Sequence, residues 1–299
     1  MKTNAVWALL TALSLLACET ENNMNENDQV ELRLTSEITV QTRAGNADVP
    51  DKQIAEQQQV GVFISNTSGG IIGKNLKYTA DGNGGLALAD EEEQPYYPTN
   101  GNNVRIYAYH PYAAVSDAGT FDFSVKEDQN EETAYYSSDL LYSESREYPC
   151  SPTAHSLLFT HKLSKVVCIL KSDDSDLPIE EATIEIVGAK VGGTFNLSDG
   201  TFTGSEAPDG SSDVRMNNTI ASGSYIAVIP PQSFKEGKPF LKITMNDKEL
   251  LYESDERFEL QSGNVYTYTI TVRRPGITVT SSIASWNTGE EHKSEAKRS

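Results

Sequence analysis

The stretch Val30-Glu31-Leu32-Arg33-Leu34-Thr35-Ser36-Glu37-Ile38-Thr39-Val40 decides how this chain is read. Val30, Leu32, Leu34, Ser36, Ile38 and Val40 stand at strict period two, with Glu31, Arg33, Thr35, Glu37 and Thr39 between them. Successive side chains of a strand point to opposite faces, so this segment has one largely apolar face and one wet face. It then runs into Gln41-Thr42-Arg43-Ala44-Gly45-Asn46, a polar stretch with a glycine. A trypsin-like protease could cut there, between Arg43 and Ala44.

A second segment near the C-terminus has the same order. Ile277, Val279, Ser281 and Ile283 alternate with Thr278, Thr280 and Ser282. Both segments read large, large, Ser, Ile along one face, so both suit the same kind of groove. A strand that leaves its place exposes a groove and unpaired backbone groups, which bind another strand strongly.

Working outward, period two dominates. Strands are predicted at 60–64, 104–109, 121–125, 139–142, 163–170, 182–187, 194–197, 224–229, 240–245, 249–252, 265–272 and 277–283. Ser198-Asp199-Gly200-Thr201 is a hairpin signal, because Asp-Gly readily takes the positive φ of a tight turn. One short polar helix is predicted at 51–59. The chain is therefore all-β, with strands at the spacing of β-sandwiches. Tyr148-Pro149-Cys150-Ser151-Pro152 suggests a boundary, since two prolines in four residues disfavour both helix and central strand. The expected units are 44–152 and 153–299, each long enough for one sandwich.

The 299 residues carry 24 Lys+Arg against 43 Asp+Glu, a net charge of −19. That balance excludes a nucleic-acid binder, whose phosphate contacts need clustered basic residues. It also argues against electrostatic docking on anionic lipid. No apolar run reaches the length of a membrane-spanning helix.

The N-terminus carries an address. Residues 1–17 hold Lys2 and then an apolar run too short to span a bilayer, as a signal peptide does. It ends Leu15-Leu16-Ala17-Cys18, which resembles the bacterial lipobox, although Leu16 stands where a small polar residue or Ala is usual. The resemblance implies cleavage before Cys18, acylation of that cysteine and a firm lipid anchor outside the cytoplasmic membrane. Residues 18–43 then form a propeptide: a polar tether followed by the removable strand. Of the two other cysteines, Cys168 lies in a buried-strand run and Cys150 in a loop. A disulfide between them is one option in an oxidising compartment, and a free core thiol at Cys168 is the other.

Motifs for catalysis are missing from the sequence. The histidines His110, His155, His161 and His292 show no zinc-type pairing, and there is no nucleophile elbow or P-loop. No enzyme activity, metal or cofactor is expected. His161 is read as structural or as a surface residue. Asp90-Glu91-Glu92-Glu93 is read as a solvated acidic loop, and Asp81-Gly82-Asn83 lacks the distal Glu of a calcium loop. Five tyrosines between Tyr96 and Tyr112 could cover a core or stack on sugars. The second option supports an alternative reading, a glycan-binding surface lipoprotein that does not polymerise.

Several stretches together resemble the fimbrillin (Mfa-like) family, the subunits of type V pili in Bacteroidales. They are the lipobox at Cys18, Val40-Gln41-Thr42-Arg43-Ala44, Tyr96-Tyr97-Pro98, and Val104-Arg105-Ile106-Tyr107-Ala108-Tyr109-His110-Pro111-Tyr112. Further on come Asp139-Leu140-Leu141-Tyr142, Leu158-Phe159-Thr160-His161-Lys162-Leu163-Ser164-Lys165-Val166, Gly263-Asn264-Val265-Tyr266-Thr267-Tyr268 and Ile283-Ala284-Ser285-Trp286. The resemblance implies two transthyretin-like or Ig-like β-sandwich domains and a lipoprotein of the outer-membrane surface. It implies an Arg-specific protease acting at Arg43-Ala44, and release of the strand holding Val30, Leu32, Leu34, Ile38 and Val40. The emptied groove then takes a donor strand from a neighbouring subunit, the donor lying within 276–286 and including Ile277, Val279, Ser281, Ile283 and Trp286. The implied partners are other fimbrial subunits, identical or paralogous, and a ligand on a host or bacterial surface. The implied role is adhesion or biofilm formation.

Overall fold

The computed structural model describes residues 29–39, 52–115, 119–172, 174, 176–205, 211–221, 223–273, 276–285 and 291–292, from 273 onward by backbone alone. In chain order the strands begin with β1 (Leu34–Ile38), β2 (Gln59–Asn66), β3 (Ile71–Ala80), β4 (Gly85–Leu88), β5 (Val104–His110) and β6 (Thr120–Ser124). After helix α1 (Glu132–Ser138) come β7 (Leu141–Tyr148), β8 (His155–His161), β9 (Ser164–Ser172), β10 (Thr183–Lys190), β11 (Gly192–Asn196), β12 (Thr201–Gly204) and β13 (Ser211–Arg215). The last are β14 (Tyr225–Ile229), β15 (Gln232–Phe234), β16 (Pro239–Met245), β17 (Lys248–Glu253), β18 (Phe258–Leu260), β19 (Asn264–Arg273), β20 (Gly276–Ser285) and β21 (Glu291–His292).

Every strand expected from periodicity is present. The expected helix at 51–59 is not: its described residues are turns and irregular backbone leading into β2, with Gln57 at φ 65°. Helix α1 lacks a side-chain N-cap bond and is held by packing, with Tyr135 fully buried. Strand β3 escapes a period-two reading because Asn75, buried at φ 51°, sits where its register with β2 shifts.

The first half departs from a sandwich. Strands β1-β4-β3-β2-β5-β7-β8 hydrogen-bond in a closed ring around one core that contains Leu34, Val62, Ile106 and Phe159. Strand spacing cannot show which edges meet, and here β1 meets both remaining edges. The expected boundary after Pro152 falls between β7 and β8, two paired neighbours of this ring. In the second half, the sheets β14-β9-β19-β20-β21 and β13-β10-β16-β17 enclose a second core with Cys168, Ile184, Phe240 and Tyr268.

A third core joins the halves. Strand β6 pairs with β11 rather than with the barrel, and Phe63, Tyr109 and Tyr142 pack with Phe195, Leu197 and Val228. The predicted Asp-Gly turn is part of this joint. Gly200, at φ +68°, passes so close to Tyr142 that an added Cβ would lie 2.2 Å from its ring, and the Tyr142 hydroxyl donates to the Leu197 carbonyl at 3.0 Å. Gln129, fully buried, acts as one residue of a missing strand. Its Nε2 donates to the Val228 carbonyl at 2.8 Å, and the Val228 N–H donates to its Oε1 at 2.9 Å.

The disulfide option does not hold. Cys150 and Cys168 are both free and belong to different cores, Cys150 against the barrel core and Cys168 inside the second. Burial pushes the Cys168 thiol well above its ordinary pKa, which keeps it an inert packing group.

Candidate functional site

Residues 29–39 form the wall of the barrel that the chain enters first. The Leu32 N–H donates to the Pro95 carbonyl at 2.9 Å, and the Tyr97 N–H donates to the Val30 carbonyl at 3.0 Å. From Leu34 the segment runs parallel to β8, with Leu34 opposite His155, Ser36 opposite Leu157 and Ile38 opposite Phe159. On its other side it pairs antiparallel with β4, Leu34 opposite Leu86 and Thr35 opposite Gly85. It ends with the Thr39 N–H donating to the Phe159 carbonyl at 2.9 Å.

The alternation in the sequence is the alternation in space. Leu32, Leu34, Ser36 and Ile38 are 1, 3, 6 and 4% exposed, whereas Arg33 and Glu37 face solvent. Each of the three aliphatic side chains contributes about 2 kcal/mol by leaving water. Taking the segment away would uncover the edges of β4 and β8 and the apolar floor between them. An open cleft bordered by Glu37, Thr39, Lys52, Gln53 and Asn83 lies over the end of β1.

Of the residues singled out from sequence, Val30, Leu32, Leu34 and Ile38 come together here. Val40, Cys18, Arg43, Ala44 and Trp286 lie outside the described residues. Ile277, Val279, Ser281 and Ile283 all stand in β20. That strand pairs with β19 along its full length, from Arg273 opposite Gly276 to Asn264 opposite Ser285. Its other edge carries β21, matched only at Ile283 and Ala284. The two look-alike strands thus occupy different sheets of one chain.

The remaining candidates resolve into structural roles. Asp81 Oδ1 accepts the N–H groups of Asn83 at 2.7 Å and Gly85 at 2.8 Å, which ties the turn before β4. Glu91 pairs with Lys77. Of the five tyrosines from 96 to 112, Tyr97 and Tyr109 are buried, Tyr107 stacks on Phe63, and only Tyr96, at 37%, is exposed. No group of three or more His, Cys, Asp or Glu converges as a metal site among the described residues.

Sequence reasoning missed one cluster. His161 Nδ1 lies 3.0 Å from Asp139 Oδ1, and His110 Nδ1 lies 2.8 Å from the Asp139 carbonyl oxygen. His110 Nε2 faces Gln58 Oε1 at 3.3 Å. Burial holds the His110 imidazole below its usual pKa, against the opposing pull of the Asp139 carboxylate. The groups come from distant points of the chain, and no local spacing announces them.

Comparisons with known proteins bear on the family and the fold. The family described as fimbrillin-like matches residues 42–286. A protein named "Putative fimbrium subunit Fim1C" from Bacteroides uniformis is 26% identical over 303 residues, covering 95% of each chain. Among solved structures, a "putative cell adhesion protein" from Bacteroides uniformis superposes with a TM-score of 0.67 at 20% identity, covering 88% of this chain and 99% of its own. Another from Bacteroides ovatus gives 0.67 at 15% identity, covering 87% and 99%. These two show the shared fold. With the family match extending over most of its length, the chain belongs to the fimbrillin-like family.

Proposed function

We propose that this protein is a structural subunit of a cell-surface fimbria that assembles by strand exchange. It is exported as a lipoprotein, acylated at Cys18 on the outer membrane and cut at Arg43-Ala44 by an Arg-specific protease. The segment 18–43 then departs, and the emptied groove receives a strand from another subunit. The processed chain folds as two β domains and serves adhesion or biofilm formation. Its role is structural rather than enzymatic.

One observation carries this reading. The segment 29–39 is a barrel strand buried on alternate residues and paired on both sides, and Arg43-Ala44 follows it within a few residues in a polar stretch of sequence. Such a strand supplies the barrel with its last wall and can be exchanged for an equivalent one. The glycan-binding alternative loses its motivation, because a single exposed tyrosine makes no stacking platform.

The test is N-terminal sequencing of surface-sheared material, together with assembly of protein treated with an Arg-specific protease. A start at Ala44 and ladders or filaments after cutting are expected. Persistent monomer after clean cutting at Arg43 would overturn the proposal.

A further inference from the structure

We infer that a ligand site separate from the first strand lies in the polar cleft between residues 52–58, the turn before β4 and helix α1, and that it binds a neutral saccharide. The inference adds a ligand to the adhesive role proposed above and does not depend on strand exchange. Its seat is not the tyrosine stretch 96–112.

The cleft has a volume of about 870 Å³ and opens to solvent. Its walls are fixed by the fold. Ile54, 2% exposed, roots the 52–58 segment in the barrel core, while Gln53, Glu56 and Gln57 face solvent. Gln57 takes φ 65° in a turn tied to the end of β3. Its N–H donates to the Ala80 carbonyl at 2.9 Å, and the Ala80 N–H donates to the Gln58 carbonyl at 2.9 Å. The turn before β4 packs against this one, since a Cβ added to Gly82 would stand 3.2 Å from Glu56 Cβ. That turn presents Asn83 to the cleft, and α1 presents Tyr136, half-buried, with its ring edge-to-face on Tyr135 at 5.5 Å between centroids. The amides of Gln53 and Gln57 bond to no other described residue, whereas that of Gln58 is engaged by His110. Groups held ready in this way lose little freedom when a ligand arrives.

The chemistry of the lining selects the ligand. A side-chain amide both donates and accepts hydrogen bonds. Adjacent hydroxyls of a sugar do the same, so one amide can engage two of them together. Gln53, Gln57 and Asn83 supply three such groups, and the Tyr136 ring supplies apolar surface for the C–H face of a sugar ring. Charge narrows the class. Glu56, Asp81 and Glu132 stand around the cleft with one cation, Lys52, so phosphorylated, sulfated or carboxylated ligands are repelled. These carboxylates do not converge as a metal site among the described residues. Neutral hydrogen bonds in an open cleft are weak one by one, so the affinity of a single subunit is low. A fimbria that repeats the cleft along its length raises it by avidity.

The experiment uses the full, uncut chain and reads binding by saturation-transfer NMR and titration. The probes are neutral manno-, galacto-, gluco- and xylo-oligosaccharides, with a sulfated galacto-oligosaccharide and a Lys-rich peptide as contrasts. At least one neutral oligosaccharide is expected to bind. Gln57→Gly, which keeps the positive φ of the turn, and Tyr136→Ala are each expected to weaken it about tenfold. Gln57→Gly should leave the thermal midpoint in place, so its effect is not one of folding. Tyr96→Ala should leave binding intact. Binding of none of the neutral probes, binding that Gln57→Gly leaves unchanged, or binding that Tyr96→Ala abolishes would overturn the site. Preference for the sulfated probe or the Lys-rich peptide would overturn the ligand class. Every arm uses uncut protein, so these outcomes are separate from a failure to assemble after cutting at Arg43.

Discussion

The carbonyl of Gly84 holds Ser36 at 2.7 Å, and this bond continues the grip on the first strand past the end of its ladder with β4. It depends on Gly84 having no Cβ and taking φ +94°. Gly84→Ala is expected to cost about 1–3 kcal/mol through backbone strain and the close contact with Ser36. The uncut protein should show a lower denaturant midpoint, and limited proteolysis should release the N-terminal segment faster.

The two faces of the first strand should respond differently. Leu34→Ala opens a cavity in the barrel core and is expected to cost about 2–5 kcal/mol. Glu37→Ala, on the wet face, should stay within about 0.5 kcal/mol of the parent. Urea unfolding of the uncut chain measures both, and similar losses would contradict the placement of this strand.

At the joint between the halves, Gly200→Ala has no room. The new methyl would meet the Tyr142 ring in a left-handed backbone conformation, so a loss of about 2–4 kcal/mol is expected. Tyr142→Phe removes only the hydrogen bond to the Leu197 carbonyl, a loss of about 1 kcal/mol. Thermal unfolding by calorimetry should rank the two in that order.

Acid should weaken the fold through His110. Its folded-state pKa lies below the ordinary 6.5 because burial disfavours the imidazolium, while the unfolded chain protonates normally. The unfolded state therefore binds more protons as pH falls below about 6.5, and stability drops until the folded-state value is reached. The slope approaches about 1.4 kcal/mol per pH unit in that window. Asp139, His161 and Gln58 surround the ring and remain in a His110→Asn variant, so the flattening of its stability curve between pH 7 and 5.5 isolates this one group. A parent whose urea midpoint does not move across that range would contradict the assignment.

Local pattern carried the strands well. The period-two stretch from Val30 to Val40 and the Asp199-Gly200 turn are visible as text, because pleat and turn chemistry act over a few residues. Strand β3 was not visible, since Asn75 at positive φ breaks the alternation. The histidine cluster was invisible because Asp139 meets His110 and His161 only after β5, β7 and β8 have folded.

The sequence by itself determined that the chain is all-β and that one amphipathic strand precedes Arg43. Alternation and composition are local properties, and they need no partner to be read. Only the tertiary structure decided where that strand goes. Backbone N–H and C=O groups are the same in every residue, so no pattern of side chains says which two edges a strand will join. Folding placed it between β4 and β8 and closed a barrel where a sandwich was expected.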